Sequence, residues 1–153
     1  MIHLIRHTHA GKRSAWDGPD DERPLSERGW QQAQAVAGQL EVEGVTRILT
    51  SPYVRCVQSV EPLSALTGIE VEIERALEEG APGAAIDRLL ATLEGGEVLC
   101  SHGDVVSGLI GRLAAEGADL DAGLIWEKAS VWHLERRGQR WTGRYAPPPA
   151  TET

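Results

Sequence analysis

Two short apolar runs that each end on a histidine constrain this chain most. Ile2 to Ile5 leads into Arg6-His7-Thr8, and Val98 to Cys100 leads into Ser101-His102-Gly103. Each run reads as a buried strand. Open α/β sheets place their chemistry in the crevice at strand ends, so two such ends can bring two imidazoles face to face. A third apolar run, Val45 to Thr50, enters Ser51-Pro52-Tyr53-Val54-Arg55 and carries an arginine between the two histidine motifs.

The rest of the chain alternates strand and helix, the signature of an α/β sandwich. After a strand over Ile2 to Arg6, a polar loop from Thr8 to Pro24 is too irregular to hold a helix by itself. Ser26 is the expected N-cap of the first helix, with Leu25 and Trp30 as a hydrophobic staple. Ala33, Val36, Ala37 and Leu40 mark its apolar face, and Gly44 ends it. Ser51 as a cap and Pro52 at the first helical position predict the start of the second helix, which Pro62 should kink or end. A strand near Glu70 to Ile73, a turn at Leu77-Glu78-Glu79-Gly80 and a helix opened by Pro82 follow. Ile86, Leu89, Leu90 and Leu93 give that helix its face. Next come a strand over Glu97 to Ser101 and a helix burying Val106, Leu109, Ile110 and Leu113. Two strands, Ala129 to Leu134 and Arg140 to Tyr145, close the expected single domain at residues 1–146, leaving 147–153 as a tail.

Composition bounds the function. At 153 residues the chain can bury a core without disulfides or metal. A net charge of −8 argues against broad attraction to nucleic acid or an anionic membrane, so any anion site must be a local pocket. No apolar stretch is long enough to span a bilayer and no secretory signal is visible, which predicts a cytoplasmic protein. Cys56 and Cys100 lack the paired spacing of a zinc site and are expected to pack as small hydrophobes. No metal or cofactor is expected, and His3, His9 and His133 are assigned no catalytic role.

Two histidines and two arginines converging on one pocket suit a phosphoryl group. Its transfer is catalysed mainly by positioning and by stabilising charge on its oxygens. Arginine fits because its planar fork donates several hydrogen bonds and stays charged. Arg6 and Arg55 would hold the phosphate, helped by the N-terminus of the helix after Pro52. A neutral imidazole can attack phosphorus if its other ring nitrogen is fixed as a donor, and His7 is the natural nucleophile. His102 would then donate to a phosphoryl oxygen.

Arg6-His7-Thr8, Arg23-Pro24-Leu25-Ser26 with Gly29, Ser51-Pro52 with Arg55, Gln58 and Ser59, and Ser101-His102-Gly103 occur in the order that resembles the histidine phosphatase (phosphoglycerate mutase-like) superfamily. Within it the chain is similar to the short branch, which includes bacterial phosphohistidine phosphatases and phosphatase domains linked to Nudix hydrolases. The resemblance implies a three-layer α/β/α sandwich around a mostly parallel mixed sheet. It also implies that His7 becomes phosphorylated while Arg6, Arg55 and His102 complete the phosphate pocket. An acidic proton donor is expected in the Leu77 to Gly80 turn, with Glu79 preferred to Glu78. Thr8 stands where many relatives have glycine, and Ser59 where threonine is frequent.

The short span from Gly80 to Glu97 leaves little room for a lid, which favours hydrolysis over a phosphoglycerate-type mutase. The expectation is a metal-independent phosphatase acting on a phosphorylated small molecule or a phosphoprotein, such as a phosphohistidine or nucleotide-type substrate. A non-catalytic phosphoanion-binding module is the reading from another class. Lys12 and Arg13 either keep the first loop soluble or contact a distal phosphate, and Trp16 either packs or walls a base or sugar.

Overall fold

A computed structural model describes residues 1–151. Seven strands form one sheet in the order β3-β2-β4-β1-β6-β7-β5. They are β1 (Ile2–Arg6), β2 (Arg47–Thr50), β3 (Val71–Ile73), β4 (Glu97–Ser101), β5 (Asp119–Leu120), β6 (Val131–Arg137) and β7 (Arg140–Ala146). The pairs β1·β4, β2·β3, β2·β4 and β5·β7 are parallel, while β6 runs antiparallel to β1 and β7. The mostly parallel mixed sheet therefore stands as the resemblance implied.

Four helices cover the two faces: α1 (Glu27–Leu40), α2 (Val54–Thr67), α3 (Gly83–Thr92) and α4 (Gly103–Ala115). Strand side chains alternate between faces, and the core divides accordingly. Ile5, Ile48, Val98 and Cys100 pack with Val36, Ala37 and Leu40 of α1 and Val60 and Leu63 of α2. Leu4, Leu49 and Leu99 pack on the other face with Ile86 and Leu90 of α3 and Val106, Leu109, Ile110 and Leu113 of α4. Both cysteines are free and buried in the first layer. Burial pushes the Cys56 thiol well up, which leaves it a packing group rather than a reactive thiolate.

Local signals explain several boundaries. Ser26 caps α1 by accepting the Gly29 N–H, while Leu25 and Trp30 pack together with Ala10 and Ala33. Gly68 ends α2 in the left-handed region at φ 74°. Two expectations need correction. Helix α2 starts at Val54 with Tyr53 as N-cap, not at Ser51-Pro52, because the Ser51 hydroxyl is engaged by the His102 ring. Pro62 does not end α2, which runs on to Thr67 with Val60 and Leu63 packed against the sheet. The edge strand β5, two residues pairing with β7, has no sequence signal. No helix or strand occupies 147–151, and Glu152 and Thr153 of the expected tail lie outside the described residues.

The strand order has a functional consequence. β2, β4 and β1 are adjacent and parallel, so their carboxyl ends, which carry Ser51, His102 and His7, open onto one crevice. Ladder bonds continue past the strands, from His7 N–H to the Ser101 carbonyl at 2.9 Å and from Ser51 N–H to the Cys100 carbonyl at 3.0 Å.

Away from that crevice, His3 and His133 face each other across β1 and β6 with their Nδ1 atoms 2.7 Å apart. Such a bond needs one nitrogen to donate and the other to accept, so at least one of the two rings is neutral. Burial, then His3 and Arg144, holds His133 down to about 4, against a weak opposing pull from Asp121. Burial also lowers His3, with Glu43 opposing. As pH falls from about 6.5 to about 4 the unfolded chain binds a proton that folded His133 refuses. Stability is lost across that window, by about 3 kcal/mol. Denaturant titrations of wild type and His133→Gln from pH 7 to 4 check this: the wild type should lose more stability than the variant.

Candidate active site

The site is a crevice of about 790 Å³ lined by Arg6, His7, Arg55 and Glu79, together with Lys12, Arg13, Arg23, Gly103, Asp104 and Lys128. His7 lines it, and the His102 ring, which is not among the lining residues, meets the His7 ring edge to face with centroids 5.5 Å apart. Both imidazoles are almost completely buried.

Backbone and hydroxyl partners set the tautomers. His7 Nδ1 lies 2.8 Å from the Thr8 carbonyl oxygen, which can only accept, so Nδ1 carries the proton and Nε2 keeps its lone pair. Burial lowers His7 well below its usual value; the Thr8 carbonyl opposes this, and His102, Arg55 and Arg6 add to it. The ring is therefore neutral near neutral pH. His102 Nε2 lies 2.8 Å from the Ser51 hydroxyl, which also accepts the Tyr53 N–H at 3.3 Å. That hydroxyl can donate to Nε2, leaving the His102 proton on Nδ1. His102 Nδ1 has no protein partner closer than Glu79 Oε1 at 4.0 Å.

The two arginines are placed by different means. Arg6 donates from Nη1 to the Trp126 carbonyl at 2.9 Å, and its guanidinium lies against Gly103, where a Cβ would come within 2.9 Å of it. Glycine opens α4 because only a residue without a side chain lets Arg6 lie there. Arg55 is 1% exposed, over the Tyr53 ring at 4.9 Å. It donates to the Asp20 carbonyl and carboxylate at 2.8 and 3.1 Å and to Glu79 at 3.4 Å. The first turn of α2 supplies Arg55 to the pocket, and the N-terminal end of α4 lines it as well, at Gly103 and Asp104.

Of the two candidate acids, Glu79 enters the crevice while Glu78 pairs outside it with Arg75 at 3.3 Å. The Glu79 turn is pinned by the Ser101 hydroxyl donating to the Leu77 carbonyl at 2.6 Å. Gly80 N–H donates to Asp104 at 2.8 Å on its other side. Thr8 and Ser59, the two departures from the family pattern, answer each other. Thr8 N–H donates to Ser59 Oγ at 3.0 Å, and the Thr8 hydroxyl donates to the Gly29 carbonyl at 2.8 Å.

Four residues of the site escaped the sequence reading. Asp20 binds Arg13, Arg23 and Arg55 together, at 3.1, 3.2 and 3.1 Å. Arg23 is buried and also donates to the Ala10 and Gly11 carbonyls, which folds the first loop over the crevice. Asp104 and Lys128 complete the lining. Arg23 stood within a family motif and could have been found there; Asp20 and Lys128 carry no local signal. Arg13 is held by Asp20 and Glu79, so it is less free to meet a distal anion than the sequence allowed. Trp16 is 37% exposed and donates to the Pro19 carbonyl at 2.8 Å, walling a shallow groove with Lys12 and Arg23 next to the crevice.

Comparison with known proteins is consistent with this geometry. The chain is 40% identical over 113 residues to the 8-oxo-(d)GTP phosphatase of Mycolicibacterium smegmatis, an alignment covering 70% of this chain and 35% of that one. The chain thus spans about a third of that relative. Among solved structures, the protein histidine phosphatase SixA complexed with tungstate superposes with a TM-score of 0.77 at 18% identity, over 93% of this chain and 92% of that one. The mycobacterial glucosyl-3-phosphoglycerate phosphatase gives 0.67 at 19% identity, over 93% and 95%. These structures share the fold. Residues 2–85, which hold Arg6, His7 and Arg55, match the histidine phosphatase superfamily (branch 1), and the chain belongs to that family.

Proposed function

We propose that the protein is a phosphatase that hydrolyses phosphomonoesters or phosphoproteins through a phosphohistidine on His7. One observation carries this reading. Among the described residues, four buried side-chain nitrogens have no hydrogen-bond partner, and three of them are Arg6 Nε, Arg55 Nε and His102 Nδ1. Leaving a buried donor unsatisfied costs about 1–3 kcal/mol, more for a charged group. Arg6 and Arg55 line the crevice and His102 lies behind it against His7, so the three donors match the oxygens of a phosphoryl group.

His7 Nε2 attacks phosphorus as the ester P–O bond breaks, and Glu79, which takes up a proton when the bound phosphoryl group replaces it as the partner of Arg55, gives that proton to the departing oxygen. Arg6, Arg55 and His102 hold the equatorial oxygens throughout. Water then attacks phosphorus, Glu79 takes the water's proton, and the N–P bond breaks to release phosphate. Hydrolysis is favoured over mutase chemistry because no residue between Gly80 and Gly103 lines the crevice, so α3 supplies no lid over the phosphoenzyme. The relative named for 8-oxo-(d)GTP supports a phosphorylated small molecule over a phosphoprotein.

Hydrolysis of p-nitrophenyl phosphate with chelator present tests the reading. His7→Ala should lower the rate by about 10³-fold or more, and wild type given labelled substrate should carry acid-labile phosphate. Equal inactivity of both proteins with retained phosphate binding would mark a binding module, and isomer exchange of phosphoglycerates without phosphate release a mutase. Glu79→Gln should slow alkyl phosphates about 100-fold and p-nitrophenyl phosphate far less, since nitrophenolate leaves without a proton. Because the reactive ring is the neutral one and burial lowers His7, kcat/KM should persist as pH falls through 6.5. An acid limb centred near 6.5 would contradict the buried neutral imidazole.

A further inference from the structure

The crevice is larger and more cationic than one phosphoryl group requires. Six basic side chains line it against two carboxylates, Glu79 and Asp104. With Asp20 counted among the acids, three positive charges remain in excess, one more than a phosphoryl dianion carries. Its volume, about 790 Å³, is that of a pocket for a whole small-molecule ligand.

Lys12 and Lys128 are the two lining cations with no hydrogen bond or ion pair among the described residues, and of the two only Lys128 is part-buried, Lys12 being exposed. Arg13, Arg23 and Arg55 share Asp20, and Arg6 is held by the Trp126 carbonyl. The half-buried Lys128 ammonium has no hydrogen bond or ion pair with any described residue. Burial, then Arg6, Arg23 and Arg55, lowers it, and no acid offsets them. Any anion entering the crevice would relieve that repulsion.

The backbone fixes this lysine relative to the phosphoryl site. Arg6 N–H donates to the Ser130 carbonyl, and Ala129 N–H donates to the Arg6 and His7 carbonyls at 3.0 and 3.2 Å. The Arg6 guanidinium takes the Trp126 carbonyl on the other side of Lys128. Ala129 itself is at φ 69°, a left-handed conformation that non-glycine residues rarely adopt. The turn is held by its bonds to the strand end that bears Arg6 and His7.

We propose that Lys128 is a specificity-determining residue that binds a second anionic group of the substrate, beside the phosphoryl group transferred to His7. The substrate class is then a diphosphate or a phosphorylated acid, in preference to a phosphate ester of a neutral alcohol or a phosphorylated protein side chain. The second anion lies on the β6 side of the crevice, near Arg23 and Lys128, where a flexible ammonium can follow either a phosphoryl or a carboxylate group. This deepens the phosphatase reading and rests on it for the reaction, but its binding claim can be measured without turnover.

Calorimetric titrations of the whole chain carrying His7→Ala, with orthophosphate, inorganic pyrophosphate and phosphoglycolate, supply the test. Pyrophosphate or phosphoglycolate should bind about ten-fold more tightly than orthophosphate, and which of them does so identifies the second anion as phosphoryl or carboxylate. Adding Lys128→Met, which keeps the apolar stem, should bring that ratio close to one, while Lys128→Arg should preserve it. Equal affinity for all three anions, or a ratio unchanged by Lys128→Met, overturns the proposal. So does a ratio that collapses with Lys12→Ala but not with Lys128→Met. Failure of the phosphatase reading would instead show as equal inactivity of wild type and His7→Ala in the turnover assay.

Discussion

Burying a guanidinium at the floor of a crevice is the constraint on which the rest of this site depends. Arg55 is 1% exposed, and an uncompensated charge there would be strongly destabilising. Asp20 and Glu79 supply the compensation, from the first loop and from the turn before α3. Asp20 also gathers Arg13 and Arg23, so the loop that closes the crevice is held by the same carboxylate that satisfies Arg55. One electrostatic requirement thus ties the substrate-facing loop, the acidic turn and α2 into a single arrangement.

His7 and the arginines beside it handle charge in opposite ways. The arginines keep a fixed charge, and Arg6 Nε and Arg55 Nε are buried with no hydrogen-bond partner among the described residues. A nucleophile needs an unprotonated nitrogen, and burial beside those cations keeps His7 neutral. The Thr8 carbonyl then selects which nitrogen is free. Burial, more than the neighbouring cations, is what keeps the His7 imidazole neutral.

Much of the site was legible because its residues sit at fixed points of regular structure. His7 directly follows β1, Arg55 lies in the first turn of α2 and His102 directly precedes α4, so strand and helix periodicity located them without knowledge of the sheet. Glu79 was narrower: two adjacent acids share one turn, and only the bonds from Ser101 and to Asp104 decide which one faces inward. Ser51 was misjudged as a helix cap because capping and binding an imidazole use the same hydroxyl, and sequence alone does not show which partner is near. Pro62 did not end α2 for a related reason: packing on the sheet outweighed a local rule.

The amino-acid order by itself determined the alternation of strands and helices, the apolar faces that form two core layers, and the presence of two histidines and two arginines at element ends. Those are local properties, set by side-chain periodicity and by turn chemistry. Only the tertiary structure decided that β2, β4 and β1 lie side by side, that Asp20 returns over Arg55, and that Lys128 joins the arginines in lining the crevice. Each of these joins residues far apart in the chain. Such meetings follow from long-range strand pairing and from balancing buried charge, and no short stretch of sequence records either.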